Sequence, residues 1–416
     1  MNIKILLISV SSFFALLICE LYLKYFNHRY RYASEISYKP SEELIYSRLP
    51  NETQFFHSPR TGKPHRSVYN NLGLRQSRNF HLGKESETFN IALFGDSLLE
   101  NIRMPTQFSL SEPIDYVLNN SGLPFNVLNF GVEGYGIDQS YTQYRSFKKI
   151  VKPKLVFFFF IRRHIRILYE TQLYQEDEEG QLVHVGSKRI PFYISALSRL
   201  NLTYLFLESF SKLKSIMRNQ SGTVSTPQNL ELLEMENFKQ EVWSRMKSDK
   251  PKEILKKLKD EGVEGIGSQW KMFLKFLLQW KSEVERDGGR FFLVLIPREN
   301  ISAMEPLFPK ELDVLNLLSQ IRTDFVDFEA EQVSYPNDLH WDERGNALAA
   351  FYISRFIVSQ LNLKLSDDQI ISSLNKYFSA FSGIEFLPGP WRLSQDISES
   401  EIDKIRKKYI NLETNK

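Results

Sequence analysis

Four short apolar runs punctuate the chain: FNIALF at 89–94, FNVLNF at 125–130, KLVFFFF at 154–160 and GGRFFLVLIP at 288–297. Each is near-continuous rather than alternating, the pattern of a strand buried on both faces. A weaker run, TDFVDF at 323–328, predicts a fifth strand. Between the runs the spacing becomes that of amphipathic helices, as over Ser109 to Asn119 and Trp270 to Val284. Buried strands alternating with helices predict an α/β fold, a parallel sheet covered on both faces.

Elsewhere the pattern departs from this rhythm. Residues Ile5 to Cys19 are apolar or small, and the run continues past Glu20 to Leu23, about the ~20 residues that cross a bilayer. Residues 1–25 read as a retained transmembrane signal anchor; a cleaved signal and a buried helix are the other readings, the first disfavoured by the lack of small residues at a cleavage site. The flanking charges, Lys4 before and Lys24, Arg29 and Arg31 after, by themselves keep the downstream chain cytoplasmic or are neutral. Residues 26–88 are polar and weakly periodic, a juxtamembrane stalk leading into short strands. A charged stretch from about 165 to 285, including LSRLNLTYLFLESFSKLKSIM at 197–217, is too long for a bare connection and predicts a helical insertion. It reads either as a lid or as helices packed on the sheet. The sheet domain then spans 89–362, and 363–416 form a helical tail around the LPGPW break at 387–391.

Composition narrows the function classes. Across 416 residues, 53 Lys and Arg stand against 50 Asp and Glu, a net +3 with no dense basic tract, so nucleic acid is excluded as the expected partner. The single cysteine, Cys19, permits no intrachain disulfide. The seven histidines are scattered, without HExxH or paired cysteines, so neither a metal nor a cofactor is expected.

Candidate chemistry gathers where strands end. Gly95-Asp96-Ser97 follows the first strand and opens a helix. That is the carboxyl edge of a parallel sheet, where open α/β folds hold ligands and helix N–H groups favour an oxyanion; Asp and Ser are equally ordinary helix caps. The second strand runs into Asn129-Phe130-Gly131-Val132-Glu133-Gly134-Tyr135-Gly136, where glycines bring backbone N–H groups close to a ligand or simply make a turn. Its order, GxxGxG, is not that of a dinucleotide loop. Further on, Asp338-Leu339-His340-Trp341 places a carboxylate two residues from an imidazole, on the same side of an extended segment, as support for a general base or as surface residues. Ser, Asp and His in this order, each near a strand end, point together to nucleophilic catalysis.

FGDSLLE (94–100), NFGVEGYGIDQ (129–139) and NDLHW (337–341) resemble three motif blocks of the SGNH/GDSL hydrolases. YNNLGLR (69–75) is similar to a stretch upstream of that serine in membrane-anchored bacterial members, and LVLIP (293–297) to a later strand. The resemblance covers roughly 67 to 360, without the insertion. It implies a three-layer α/β/α sandwich with a flavodoxin-like parallel sheet. It further implies Ser97 as nucleophile, His340 as base, Asp338 as its partner, and the N–H groups of Ser97 and Gly134 in an oxyanion hole.

In the third block the chain departs from that family. An asparagine there gives its amide to the oxyanion, but KLVFFFF runs into Ile161-Arg162-Arg163-His164, and the matching pair is Arg163-His164. Either Arg163 replaces the amide, the site is specialised, or activity has decayed. The resulting expectation is a membrane-anchored serine esterase or O-acyltransferase with its catalytic domain outside the cytoplasmic membrane. Its substrate would be an ester-linked acyl group, on a glycan or lipid, with acetyl on a cell-envelope glycan implied by family habit alone. The alternative is a membrane-tethered binding or assembly protein that keeps the fold without the chemistry.

Overall fold

The computed structural model describes 38–186 and 264–381, except 42, 60, 61, 63, 82, 84–87, 172, 336, 337 and 339, together with positions 11, 14–16, 18 and 19. The chain divides into two units. One, formed by 32–189 and 269–416, holds the sheet; the other, 1–31 with 190–268, is described only at those early helical positions and at the first turn of the helix from Glu264. Among the described residues no helix is long and apolar enough to cross a membrane. Most of the anchor at 1–25, the 197–217 helix and the tail beyond 381 lie outside the described residues.

Two antiparallel pairs come first: β1 (Tyr38–Ser41) with β2 (Ile45–Arg48), and β3 (Thr53–His57) with β4 (Pro64–Val68). The sheet domain follows as β5 (Phe89–Phe94), α1 (Ser97–Glu100), α2 (Ser111–Asn119), β6 (Phe125–Asn129), α3 (Ile137–Val151), β7 (Leu155–Phe160) and α4 (Arg163–Thr171). A small hairpin, β8 (Tyr174–Glu176) and β9 (Leu182–His184), precedes the long α5 (Glu264–Arg286). The chain then adds β10 (Arg290–Leu295), α6 (Glu299–Ser302), β11 (Asp313–Asn316), α7 (Leu317–Asp324), α8 (Glu343–Leu361) and α9 (Asp367–Ser379).

The five sheet strands are parallel, in the order β11-β10-β7-β5-β6. This is the flavodoxin-like order, with the direction of progression reversing between β5 and β7. The aromatic run explains how the layers form. Successive strand residues point to opposite faces, so Phe158, Phe94 and Phe291 meet Trp280 of α5 on one side. Phe157 and Phe292 meet Phe356 of α8 on the other. Every residue of β7 is buried, as a central strand between two helical layers requires.

One sequence expectation changes, and two others take a definite form. The fifth strand is Asp313–Asn316 and not 323–328; Thr323 and Asp324 end α7, and Val326 lies 78% exposed in the turn beyond it. An edge strand pairs on one side only, and four residues leave too little pattern to read. The described ends of the 165–285 insertion follow its packing reading: Ile165, Ile167 and Leu168 of α4 and Phe273, Phe276, Leu277 and Trp280 of α5 are buried. Within 26–88, the described residues include the expected short strands, β1 to β4, and they pack as a buttress, with Leu44, Arg48, Tyr69 and Arg75 buried. Their weak periodicity reflects what they bury, which includes paired charges.

Candidate active site

Ser97 leaves the sheet at its switch point, directly beyond the carboxyl end of β5. Asp96 caps α1: its side chain accepts the N–H of Leu98 at 3.1 Å, and its carbonyl accepts those of Leu99 and Glu100. Among the described residues the Ser97 N–H donates to no acceptor, so it is available at the helix start.

The far end of the chain supplies the partners. Tyr335 N donates to His340 O at 3.0 Å, Asp338 N to Tyr335 O at 3.0 Å, and Asn101 Nδ2 to Trp341 O at 2.9 Å. The first two bonds shape the loop itself, and the third ties it to Asn101, the residue that ends the helix carrying Ser97. His340 Nε2 then lies 2.8 Å from Ser97 Oγ, and His340 Nδ1 lies 2.5 Å from Asp338 Oδ1. The second carboxylate oxygen, Asp338 Oδ2, is 2.6 Å from Arg103 Nε. All three residues expected from the sequence therefore meet; Arg103 is a fourth that sequence reasoning missed.

The electrostatics suit a base aimed at a hydroxyl. Burial would raise the Asp338 carboxyl, but the hydrogen bond and charge of His340 and the charge and hydrogen bond of Arg103 prevail and hold it well below the usual carboxylate range. An ionised Asp338 accepts Nδ1–H, which leaves the lone pair of Nε2 facing Ser97 Oγ. Burial, with the charges of Arg103 and Arg298, lowers the His340 imidazole against the opposing hydrogen bond and charge of Asp338. It is therefore neutral and able to take a proton near pH 7.

The glycine loop after β6 sits against Ser97's helix. A Cβ on Gly131 would stand 2.6 Å from Glu100 N, so only glycine permits this approach. The loop's N–H groups are nearly all spent. Phe130 donates to Leu93 O, Gly131 to Asn129 Oδ1, Val132 to Gly95 O, Glu133 to Glu100 Oε2, Tyr135 to Val132 O and Gly136 to Gln139 Oε1. Gly134, at φ +79°, is the exception, donating to no acceptor among the described residues. The two N–H groups that the motifs single out, of Ser97 and Gly134, are thus both unspent.

Arg163 is placed differently from an inward donor. It opens α4 exposed to solvent, and its side chain makes no hydrogen bond or ion pair with a described residue. Its neighbour His164 points inward instead, fully buried, with Nδ1 accepting the N–H of Ile161 at 3.3 Å and Nε2 3.7 Å from Asp96 Oδ2. Burial, together with the Arg163 charge, lowers His164 to about 3. Burial raises Asp96 to about 6, against its bond from Leu98 N–H and the Arg163 charge.

No protein-family model and no curated protein matches this chain. Among solved structures it is similar to a putative lipolytic protein of the G-D-S-L family from Desulfitobacterium hafniense DCB-2, at 12% identity and a TM-score of 0.33, covering 64% of this chain and 98% of that one. It is similar also to a member of the lipolytic G-D-S-L family from Veillonella parvula DSM 2008, at 12% identity and a TM-score of 0.30, covering 65% and 97%. A third similar structure is a mutant acetyl-xylooligosaccharide esterase from Geobacillus Stearmophilus, at 10% identity and a TM-score of 0.24, covering 64% and 93%.

Proposed function

We propose that this protein is a serine esterase or acyltransferase of the SGNH/GDSL type, acting on ester-linked acyl groups through an acyl-enzyme. The observation that carries this reading is the continuous chain Ser97 Oγ–His340 Nε2, His340 Nδ1–Asp338 Oδ1 at 2.8 and 2.5 Å, beside two unspent backbone donors. His340 takes the Ser97 proton as Oγ attacks the ester carbonyl, and Asp338 stabilises the imidazolium that forms. The N–H groups of Ser97 and Gly134 receive the oxyanion. His340 then protonates the departing alkoxide, and water or an acceptor alcohol, activated by the same imidazole, resolves the acyl-enzyme.

The apolar run before Lys24 supports a membrane tether. The further reading, an extracytoplasmic domain working on acylated glycan or lipid, rests on the resemblance of the motifs. Reporter fusions at the C-terminus test the topology: an active cytoplasmic-only reporter overturns it. For the chemistry, the full chain in detergent is treated with a fluorophosphonate. Rapid covalent labelling at Ser97, absent in Ser97→Ala, supports the esterase; no labelling of the wild type overturns it in favour of a binding protein, the reading that the exposed Arg163 and the missing third-block asparagine favour.

A further inference from the structure

The peptide between Glu133 and Gly134 has two ends. Its N–H, on Gly134, is the unspent donor of the glycine loop. Its C=O, on Glu133, accepts the Tyr46 hydroxyl at 2.7 Å. In a trans peptide these two groups lie in one plane and point opposite ways, so whatever fixes the carbonyl aims the N–H.

From this geometry we infer that Tyr46 is a positioning residue for the esterase reaction, orienting the Gly134 N–H toward the oxyanion through the shared peptide plane. The inference rests on the function proposed above. Accepting a hydrogen bond at the carbonyl also polarises the amide and strengthens its N–H as a donor.

The surroundings hold Tyr46 to this task. Its own carbonyl accepts the Tyr135 hydroxyl at 2.6 Å, and the two rings lie 5.3 Å apart. Gln139 Nε2 reaches Leu44 O at 2.9 Å, pinning the approach to β2 onto the start of α3. On the other side of the loop, the buried Glu100 accepts the Glu133 N–H at 2.6 Å, with Arg48 Nε at 2.6 Å and the Tyr69 hydroxyl at 3.0 Å on its other oxygen. Both polar groups of the Glu133 backbone are therefore held, one from Tyr46 and one from Glu100. Ile45, directly before Tyr46, sits at φ +69°, a conformation that a β-branched residue adopts only when its surroundings impose it. Burial, and then the charges of Glu100 and Glu133, push the Tyr46 hydroxyl above its ordinary value, so it stays protonated across the working pH range.

The test is Tyr46→Phe in the full chain, which keeps the ring and removes the donor. On an aryl acetate, kcat should fall about tenfold with KM nearly unchanged, short of the ~10²–10³ lost with an oxyanion donor itself. The fluorophosphonate labelling rate should fall in parallel, since the adduct's oxygen occupies the same hole. Amide exchange at Glu133 should quicken. A change confined to melting temperature, or to KM, overturns the proposal, as does an unchanged kcat. Should the wild type take no label, the esterase reading fails; exchange at Glu133 still decides whether Tyr46 holds this loop, and unchanged exchange rejects that separately.

Discussion

Arg103 and Asp338, 235 positions apart, meet at 2.6 Å through Arg103 Nε and the carboxylate oxygen that His340 leaves unused. The pair is only partly buried, at 23% and 25% side-chain exposure, so its worth in stability is modest. Its worth to the site is orientation and charge. One carboxylate oxygen faces the imidazole and the other is locked, so Asp338 cannot rotate away from Nδ1.

Removing that cation has a directional consequence for pH dependence. Arg103 helps to lower His340, and a base must be neutral to act, so the proposed esterase activity should rise as pH passes upward through the His340 value. Arg103→Met should move this acidic limb of the kcat/KM profile to higher pH and lower the plateau a few-fold, roughly the effect of one lost charge-assisted bond. A profile with an unmoved limb would show that Arg103 is structural only.

In the proposed mechanism Ser97 and His340 act in one covalent step and should fail together. Ser97→Ala and His340→Ala should each cut ester hydrolysis by ~10⁴ or more, and the double variant should be no worse than either. Asp338→Ala should cost less than either, since the imidazole remains beside Ser97. Single-turnover kinetics with an aryl acetate, alongside melting curves to show intact folding, provide the check. A Ser97→Ala protein as fast as wild type rejects the serine mechanism.

Much of this arrangement is legible in local pattern. The strands β5, β6, β7 and β10 are buried on both faces and read as near-continuous apolar runs; Ser97 and Gly134 follow the ends of two of them, while Asp338 and His340 are legible only by their Asp-x-His spacing, in the loop before α8. What the pattern hides is whatever depends on distant partners. Glu100 looks like any helical carboxylate until Arg48, Tyr69 and the Glu133 N–H converge on it. Arg103 looks like a loop cation, and Tyr46 like one tyrosine among 19. Helix α5 is legible as a helix, but its amphipathy cannot say whether its apolar face meets the sheet or belongs to an insertion. The edge strand Asp313–Asn316 is too short to register at all.

The buried Asp96 and His164 give a stability signature with opposite signs. The folded value of Asp96, about 6, lies above its unfolded value, so the stability linked to its protonated form is present at low pH and lost as pH rises through about 6. His164, lowered to about 3, contributes stability above the unfolded imidazole range that is lost as pH falls toward 3. Asp96→Asn keeps an acceptor for the Leu98 N–H and removes only the first contribution. The stability of Asp96→Asn relative to wild type should therefore be on the order of 2 kcal/mol more favourable at pH 7 than at pH 4. Denaturant melts at the two pH values measure this, and an equal difference at both would mean that Asp96 does not titrate in this range.

Arg163 occupies the position where an amide donor was expected, and its placement makes a sharp prediction. A third oxyanion donor must come within about 2.7–3.1 Å of the developing charge. Arg163 instead begins α4 in solvent, beyond the strand next to that of Ser97, and acts on the site only through its field, which lowers Asp96 and Glu133 against the larger effect of burial. Arg163→Ala should accordingly leave kcat and KM for a neutral aryl acetate within about twofold, because a charge felt through solvent is strongly screened. Arg163→Asn should behave the same, since the shorter side chain starts from the same exposed helix position. A ~10²–10³ fall in kcat for Arg163→Ala, partly recovered by Arg163→Asn, would instead mean that the guanidinium swings inward when substrate binds. Activity appearing in Arg163→Asn from an inert wild type would show that two backbone donors are too few, and that this chain keeps its Ser-His-Asp geometry for binding alone.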